Sequence, residues 1–194
     1  MSRIFVPRDI AAIAAGANRV AEALAAEAAK RGLDIEIVRN GSRGAFFMEP
    51  LIEVETAFGR VGYREIRPSQ VASLFDADFL SGGDHPSCIG KTDEHPWFAG
   101  QTRLTFARCG LVDPLSLDDY AAHGGWKGLQ RALKLGNLDT LEEVSLSGLR
   151  GRGGAGFPTG VKWKTVAYSK ADTKYVICNA DEGDSGTFAD RMLM

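Results

Sequence analysis

A chain of 194 residues with 44% hydrophobic side chains can bury a sizeable core and still leave residues for a second unit. Its 23 Lys and Arg stand against 25 Asp and Glu, so no chain-wide basic footprint exists to hold nucleic acid. No apolar run approaches the ~20 residues of a membrane helix, and Asp9 and Arg19 interrupt the opening segment where a signal peptide needs an uncharged core.

The three cysteines, Cys88, Cys109 and Cys178, are odd in number and widely spaced. That pattern predicts free thiols in a reducing, cytoplasmic setting rather than a disulfide framework.

In chain order, the apolar run Arg3 to Val6 reads as a strand, and Asp9 stands ready to cap a helix. In that helix Ile10, Ile13, Ala17, Val20, Leu24 and Ala28 recur at helical spacing, with Gly32 as its stop. Asp34 to Val38 alternates as a half-buried strand does, and Asn40 to Gly44 supplies turn residues. Two further strand-like runs meet at Gly59, and Pro68 opens a helix toward Phe75. The order β-α-β-β-α predicts a small thioredoxin-like α/β unit over residues 1–82, with the first two strands parallel and a hairpin completing the sheet.

The frame of this half resembles the thioredoxin-like [2Fe-2S] ferredoxins and the matching small subunits of NADH dehydrogenases. Gly16-Ala17 and the run from Pro50 to Val54 fit that family's pattern, but its cysteine positions hold Pro7, Ala12, Ser42 and Phe46. None of these can replace a thiolate, so the resemblance implies a degenerate, cluster-free domain kept for docking or support. An unrelated α/β module is the alternative.

Residues 83–100 are rich in Gly, Pro and charge and read as an irregular linker. His85, Cys88 and His95, with Asp84 or Asp93, are chemically able to ligate a metal, but they lack the tight ligand pairs of a structural zinc site, and no metal is expected. His123, before Gly124 and Gly125, reads as a helix end rather than a catalytic base.

A second domain is expected over residues 101–194. Leu104 to Gly110 reads as a strand or short connection, and helices follow near Leu117–Ala121, Trp126–Leu135 and Thr140–Leu146. They lead into the glycine-rich stretch from Ser147 to Gly160, where Arg150 and Arg152 stand among six glycines. Backbone N-H groups free of Cβ atoms can converge on a phosphate there, the arginines add charge, and a helix starting near Thr159 would aim its positive end at the same point. Gly151, Gly153 and Gly156 also satisfy G-x-G-x-x-G, but a helix rather than a strand precedes them, and no Gly-Lys-Ser/Thr ending makes a P-loop. Beyond a short helix, Lys174 to Cys178 reads as a strand delivering Asn179, Asp181, Glu182 and Asp184.

Together the segments from Ser147 to Trp163 and from Lys174 to Arg191 closely resemble the flavin subunit of respiratory NADH dehydrogenases and its relatives in NAD-linked formate dehydrogenases and hydrogenases. The resemblance extends over about residues 101–194 and implies the first part of an FMN-binding α/β domain. It implies that Gly151, Arg152, Gly153, Gly154, Ala155 and Gly156 wrap FMN with Lys162 beside it, that Asn179, Asp181 and Glu182 contact the flavin or its ribityl chain, and that Phe157 helps to hold NAD. Asp184 and Ser185 replace the Glu-Pro of many relatives, so Asp184 is a nucleotide contact on a changed pattern.

The implied chemistry is hydride transfer between NAD(H) and FMN, with electrons leaving through iron-sulfur clusters. A [4Fe-4S] cluster is expected only beyond Met194, so the fragment alone is not expected to turn over. A cysteine-free thioredoxin-like domain ahead of a flavin domain most resembles the β subunit of soluble NAD-dependent formate dehydrogenases, which implies a molybdenum-containing α subunit and a small [2Fe-2S] subunit as partners. The flavin subunit of an NADH:quinone oxidoreductase or NAD-reducing hydrogenase is the alternative, and a non-catalytic docking module is the alternative of another class.

Overall fold

In the computed structural model the Asp9 carboxylate accepts hydrogen bonds from the Ala11 and Ala12 N-H groups at 2.9 and 3.1 Å and starts α1 (Ile10–Ala15). The structure describes residues 1–177. The single long helix predicted from the spacing is broken at Gly16, whose φ of +108° ends α1 and begins α2 (Ala17–Lys30). The break changes which residues face inward: Ala12, Ala17, Val20 and Leu24 are fully buried, whereas Ile10 and Ile13, expected in the stripe, are 49% and 37% exposed.

Five strands form one sheet: β1 (Ser2–Phe5), β2 (Ile35–Val38), β3 (Ile52–Thr56), β4 (Gly59–Tyr63) and β5 (Cys88–Lys91). Their order across the sheet is β2-β1-β3-β4-β5. β1 and β2 run parallel and every other neighbouring pair is antiparallel, so the predicted crossover and hairpin are both present. α3 (Val71–Asp76) follows a 3-10 turn at Pro68–Gln70 and packs with α2 on one face of the sheet. Ile4, Val6, Ile52 and Val54 from the sheet meet Leu24, Leu74 and Phe79 there with no side chain more than 1% exposed. This is the thioredoxin-like arrangement that the strand order predicts.

The stretch expected to be an irregular linker departs from that reading. Residues 88–91 pair with β4 as the fifth strand, and α4 (Pro96–Ala99) follows, with Phe98 buried against Met48 and Leu51. A four-residue strand containing Gly90 at φ +73° has too little alternation to be read from sequence. Its seat is made by Gly62 on β4, where an added Cβ would lie 2.8 Å from Thr92 Oγ1. Residues 104–110, expected as a strand or short connection, form turns.

The opposite face of the sheet is polar at its centre. Glu53, on β3, is 2% exposed and lies between two guanidinium groups, 2.8 Å from Arg43 and 3.7 Å from Arg60. Arg60 also covers the Phe5 ring at 3.3 Å and donates to the Gly110 and Leu111 carbonyls. The segment around Gly110 is held further by Asn40 Nδ2, which donates to the Gly110 carbonyl, and by the Gly41 N-H, which donates to that of Val112. Gly110 has φ +80°, and an added Cβ would fall 2.1 Å from Arg43 Cγ, so this crossing of chain over arginine needs glycine.

The positions matching the ferredoxin ligands are packed or hydrogen-bonded. Ala12 belongs to the core, and the buried Ser42 hydroxyl donates to Glu49 Oε1 at 2.7 Å. Glu49 Oε2 accepts from the Leu51 N-H at 2.8 Å. Burial pushes the Glu49 carboxyl from 4.5 up to about 7; the bonds from Leu51 and Ser42 pull it back, and the charges of Asp9 and Glu53 add to the rise.

Two compact units divide the described chain, the first running from Met1 to His123 and the second covering residues 124–177. α5 (Leu117–Ala122), capped by the Ser116 hydroxyl, closes the first unit, and His123 is its C-cap as the sequence predicts. The second unit contains α6 (Lys127–Leu135), α7 (Asn137–Leu146) and α8 (Thr159–Tyr168), with Gly136 at φ +83° stopping α6. Of the strand predicted over Lys174 to Cys178, residues 174–177 are described and are not in a strand, with Val176 fully exposed and no described segment paired with it; Cys178 lies outside the described residues.

Two outcomes follow for the first unit. Because the Glu49 pKa is raised on folding, its contribution to stability is complete below the unfolded value near 4.5 and is lost as pH rises through about 7. Urea unfolding should record a loss of at most about 3 kcal/mol across that window. Glu49→Gln should flatten it, because the uncharged amide can accept from the Leu51 N-H and donate to the Ser42 hydroxyl. Gly110→Ala should destabilise this unit by about 2 kcal/mol or more, seen as a lower urea midpoint with an unchanged slope.

Candidate functional site at the glycine loop

The glycine stretch forms a loop with a closed neck. The Gly151 N-H donates to the Phe157 carbonyl at 2.8 Å, the Thr159 N-H donates to that of Leu149 at 2.9 Å, and Arg150 and Pro158 form an antiparallel bridge between them. Residues 152–155 lie exposed at the tip. Arg150 is committed to the loop itself: its Nε donates to the Gly156 carbonyl at 2.6 Å. Arg152, at the exposed tip, is placed to meet an outside anion.

The glycines divide by what demands them. Gly154 and Gly156 have φ of +102° and +60°, which L side chains rarely adopt. Gly160, buried in the first turn of α8, meets α7: an added Cβ would fall 2.6 Å from Ser145 Cα and Oγ. Gly153 has neither constraint, with nothing within 4 Å of its built Cβ. A glycine that the chain's own packing does not require fits a backbone kept bare for a ligand.

α8 begins where the sequence predicts and gives the loop its polarity. No side chain caps it, and its first turn contains no acidic residue, so the positive end of a ten-residue helix adjoins the loop without an internal counter-charge. Lys162, one turn in, has its Nζ 5.7 Å from the centroid of the Phe157 ring. Phe157 is half exposed. Lys164 on α8 pairs with Glu142 on α7 at 3.3 Å, which with the Gly160–Ser145 contact fixes the helix that carries the site.

The structure therefore gathers Gly151, Arg152, Gly153, Gly154, Ala155, Gly156, Phe157 and Lys162 on one loop and helix start. Backbone N-H groups, two cationic side chains and an exposed ring fit the phosphate and aromatic parts of a flavin or nicotinamide nucleotide. Asn179, Asp181, Glu182 and Asp184 lie outside the described residues. The other candidates have local roles: His85 Nδ1 accepts from the Ser87 N-H, His95 caps α4 by accepting from the Trp97 N-H, and Asp93 pairs with Arg43 at 2.6 Å. His85 Nε2 lies 3.2 Å from Ser73 Oγ. With Nδ1 accepting, Nε2 carries the proton and donates, so this imidazole is no base for the serine. The buried Glu53 and Glu49 networks were not expected, because alternation along β3 assigns Glu53 to solvent.

Against known proteins, residues 144–194 match the Nuo51 FMN-binding domain. The chain is 50% identical over 94 residues to the NADP-reducing hydrogenase subunit HndC of Solidesulfovibrio fructosivorans, an overlap of 48% of this chain and 19% of that one. It is 52% identical over 79 residues to an NADH-quinone oxidoreductase subunit of Rhizobium meliloti, covering 40% of this chain and 19% of the relative. The chain thus spans about a fifth of the length of these relatives. Among solved structures, a thioredoxin-like [2Fe-2S] ferredoxin from Aquifex aeolicus superposes with a TM-score of 0.42 at 18% identity, over 50% of this chain and 96% of that one. An NAD+-reducing [NiFe]-hydrogenase superposes with a TM-score of 0.36 at 22% identity, over 99% of this chain and 32% of that one. No helix among the described residues is long and apolar enough to cross a membrane.

Two substitutions separate packing from ligand use. Gly160→Ala should lower the thermal midpoint of the second unit by several degrees, because α8 must move off Ser145. Gly153→Ala should leave that midpoint within about a degree, as calorimetry would record.

Proposed function

We propose that this chain is part of an NAD-linked flavin oxidoreductase subunit in which the glycine loop and the start of α8 hold FMN. The observation that carries this reading is the match of residues 144–194 to an FMN-binding domain, at a loop whose Gly153 has no demand from the chain's own packing. Bound FMN would supply acceptance of a hydride from the nicotinamide and release of electrons one at a time. The Gly151 N-H closes the neck on the Phe157 carbonyl, the backbone N-H groups from Arg152 to Gly156 bind the phosphate, the α8 N-terminus and Arg152 offset its charge, and Lys162 lies beside the flavin. Phe157 offers its exposed face to NAD. Asn179, Asp181 and Glu182 bind the ribityl and ring polar groups, and Asp184 lies at the nucleotide edge. Orientation of two rings, rather than acid-base catalysis by a side chain, is the protein's task.

For the whole protein we infer the β subunit of a soluble NAD-dependent formate dehydrogenase, working with a molybdenum-containing α subunit and a small [2Fe-2S] subunit, in the cytoplasm. A thioredoxin-like unit without cluster ligands, placed ahead of the flavin segment, supports this choice and gives residues 1–82 a docking role. The second reading is the flavin subunit of an NADH:quinone oxidoreductase or NAD-reducing hydrogenase, favoured by the names of the similar proteins. The distal electron donor distinguishes them: purified complex should reduce NAD with formate on the first reading and with hydrogen or not at all on the second. A [4Fe-4S] cluster belongs to a part of the protein not contained in these residues.

Titration of FMN into the 194-residue chain, followed by loss of flavin fluorescence, tests the site. Saturable binding is expected, with Gly153→Ala weakening it about tenfold while the fold is retained, and with Arg152→Ala weakening it severalfold. Equal affinity in the wild type and both variants would remove the loop from the reading. In the whole protein, NADH should bleach the visible flavin band; a folded, colourless protein that still captures the other subunits would favour a docking module.

A further inference from the structure

The first unit contains a cleft of its own, built from residues far in sequence from the glycine loop. It measures about 360 Å³ and is lined by Arg64, Glu65, Arg67, Ser69, Gln70 and Ser87, with Pro86 its one apolar contributor. It lies where β4 ends and α3 begins, beside the turn leading into β5.

Its chemistry is one-sided. Two guanidinium groups, two hydroxyls and a side-chain amide are donors, and the one carboxylate among them, Glu65, approaches Arg64 only at 4.0 Å. Gln70 Oε1 is already taken by the Arg67 N-H at 3.0 Å, which leaves the amide's NH2 as the group it can offer. An exposed pair at 4.0 Å contributes little, so Glu65 is an easily displaced counter-ion.

The backbone is bent to make this arrangement. Glu65 has φ +53°, one of two non-glycine residues among those described with positive φ, a conformation that costs an L residue of this size and persists only where surroundings enforce it. Here they do: the Glu65 N-H donates to the Met48 carbonyl at 2.8 Å, the Ile66 N-H to that of Pro50 at 3.2 Å, and the Arg64 N-H to that of Ser87 at 2.9 Å. The bend brings Arg64 and Arg67 to line one cleft together with Ser69 and Ser87.

We propose that this cleft binds a small, strongly hydrophilic oxyanion, a phosphate ester or comparable dianion, as a second ligand site separate from the glycine loop. Arginine forks match phosphate oxygens bidentately, and the hydroxyls complete the donor set. The cleft has no aromatic ring and a single proline, so it lacks a platform for a nucleotide base and selects the charged group alone. Glu65 is the weak internal competitor that the incoming anion displaces.

The test follows the arginine side-chain Nε-H signals of the 194-residue chain by NMR during titration with inorganic phosphate and then glycerol phosphate, at ionic strength held constant with chloride. Saturable shifts confined to Arg64 and Arg67 are expected, absent from the Arg64→Ala/Arg67→Ala double variant. Glu65→Gln should tighten binding roughly threefold by removing the competing carboxylate. Glycerol phosphate binding more tightly than phosphate would identify an ester as the ligand, and equal affinity would identify the free anion. Linear shifts spread over all arginines, shifts that persist in the double variant, or binding weakened by Glu65→Gln would overturn the proposal.

Discussion

The carboxylate of Glu53, buried in the sheet between Arg43 and Arg60, is the interaction on which the first unit's polar face depends. Withdrawing such groups from water is expensive, and the arrangement is tolerable because Glu53 faces two guanidinium groups and each of these has a further partner. Arg43 reaches Asp93 as well as Glu53, and Arg60 spends its remaining donors on the carbonyls of residues 110 and 111 while lying flat on Phe5. One carboxylate thereby joins β3 to the 40–46 loop, to the segment after β5 and to the strap near Gly110. The Arg43 contact is close in distance but lies off a hydrogen-bonding direction, so charge rather than directed bonding holds that side.

Much of this fold was legible because the residues that decide it act locally. Asp9 caps a helix, Gly59 turns a hairpin, and the apolar run from Arg3 to Val6 and the alternation from Asp34 to Val38 mark the two parallel strands. The polar face was not legible, since Glu53 occupies a position that alternation gives to solvent and its burial depends on arginines 10 and 7 residues away folding over it. The same applies to β5, which is recruited by the open edge of β4 more than by its own four residues. Gly16 could be seen as a glycine in a helical pattern, but only the positive φ reveals that it separates two helices.

At the candidate site the sequence located the loop, its arginines and the start of α8, because glycine density and a helix start are local signals. What it left undivided was the reason for each glycine. Gly160 is demanded by Ser145 on a neighbouring helix and Gly154 and Gly156 by their own torsions, whereas Gly153 answers to nothing within the chain. Arg150 and Arg152 likewise looked equivalent, yet one is part of the loop's wall and the other stands at its tip.

The closed neck of that loop bears on how it would recognise anything. Two backbone hydrogen bonds, which together make the bridge between Arg150 and Pro158, tie residues 149–151 to residues 157–159, so the chain between them is already a small ring rather than a free length of glycine. Most of the configurational freedom that such a composition confers on an unfolded chain has been surrendered before a guest arrives. Any association there would have less ordering to oppose it than the glycine content alone suggests.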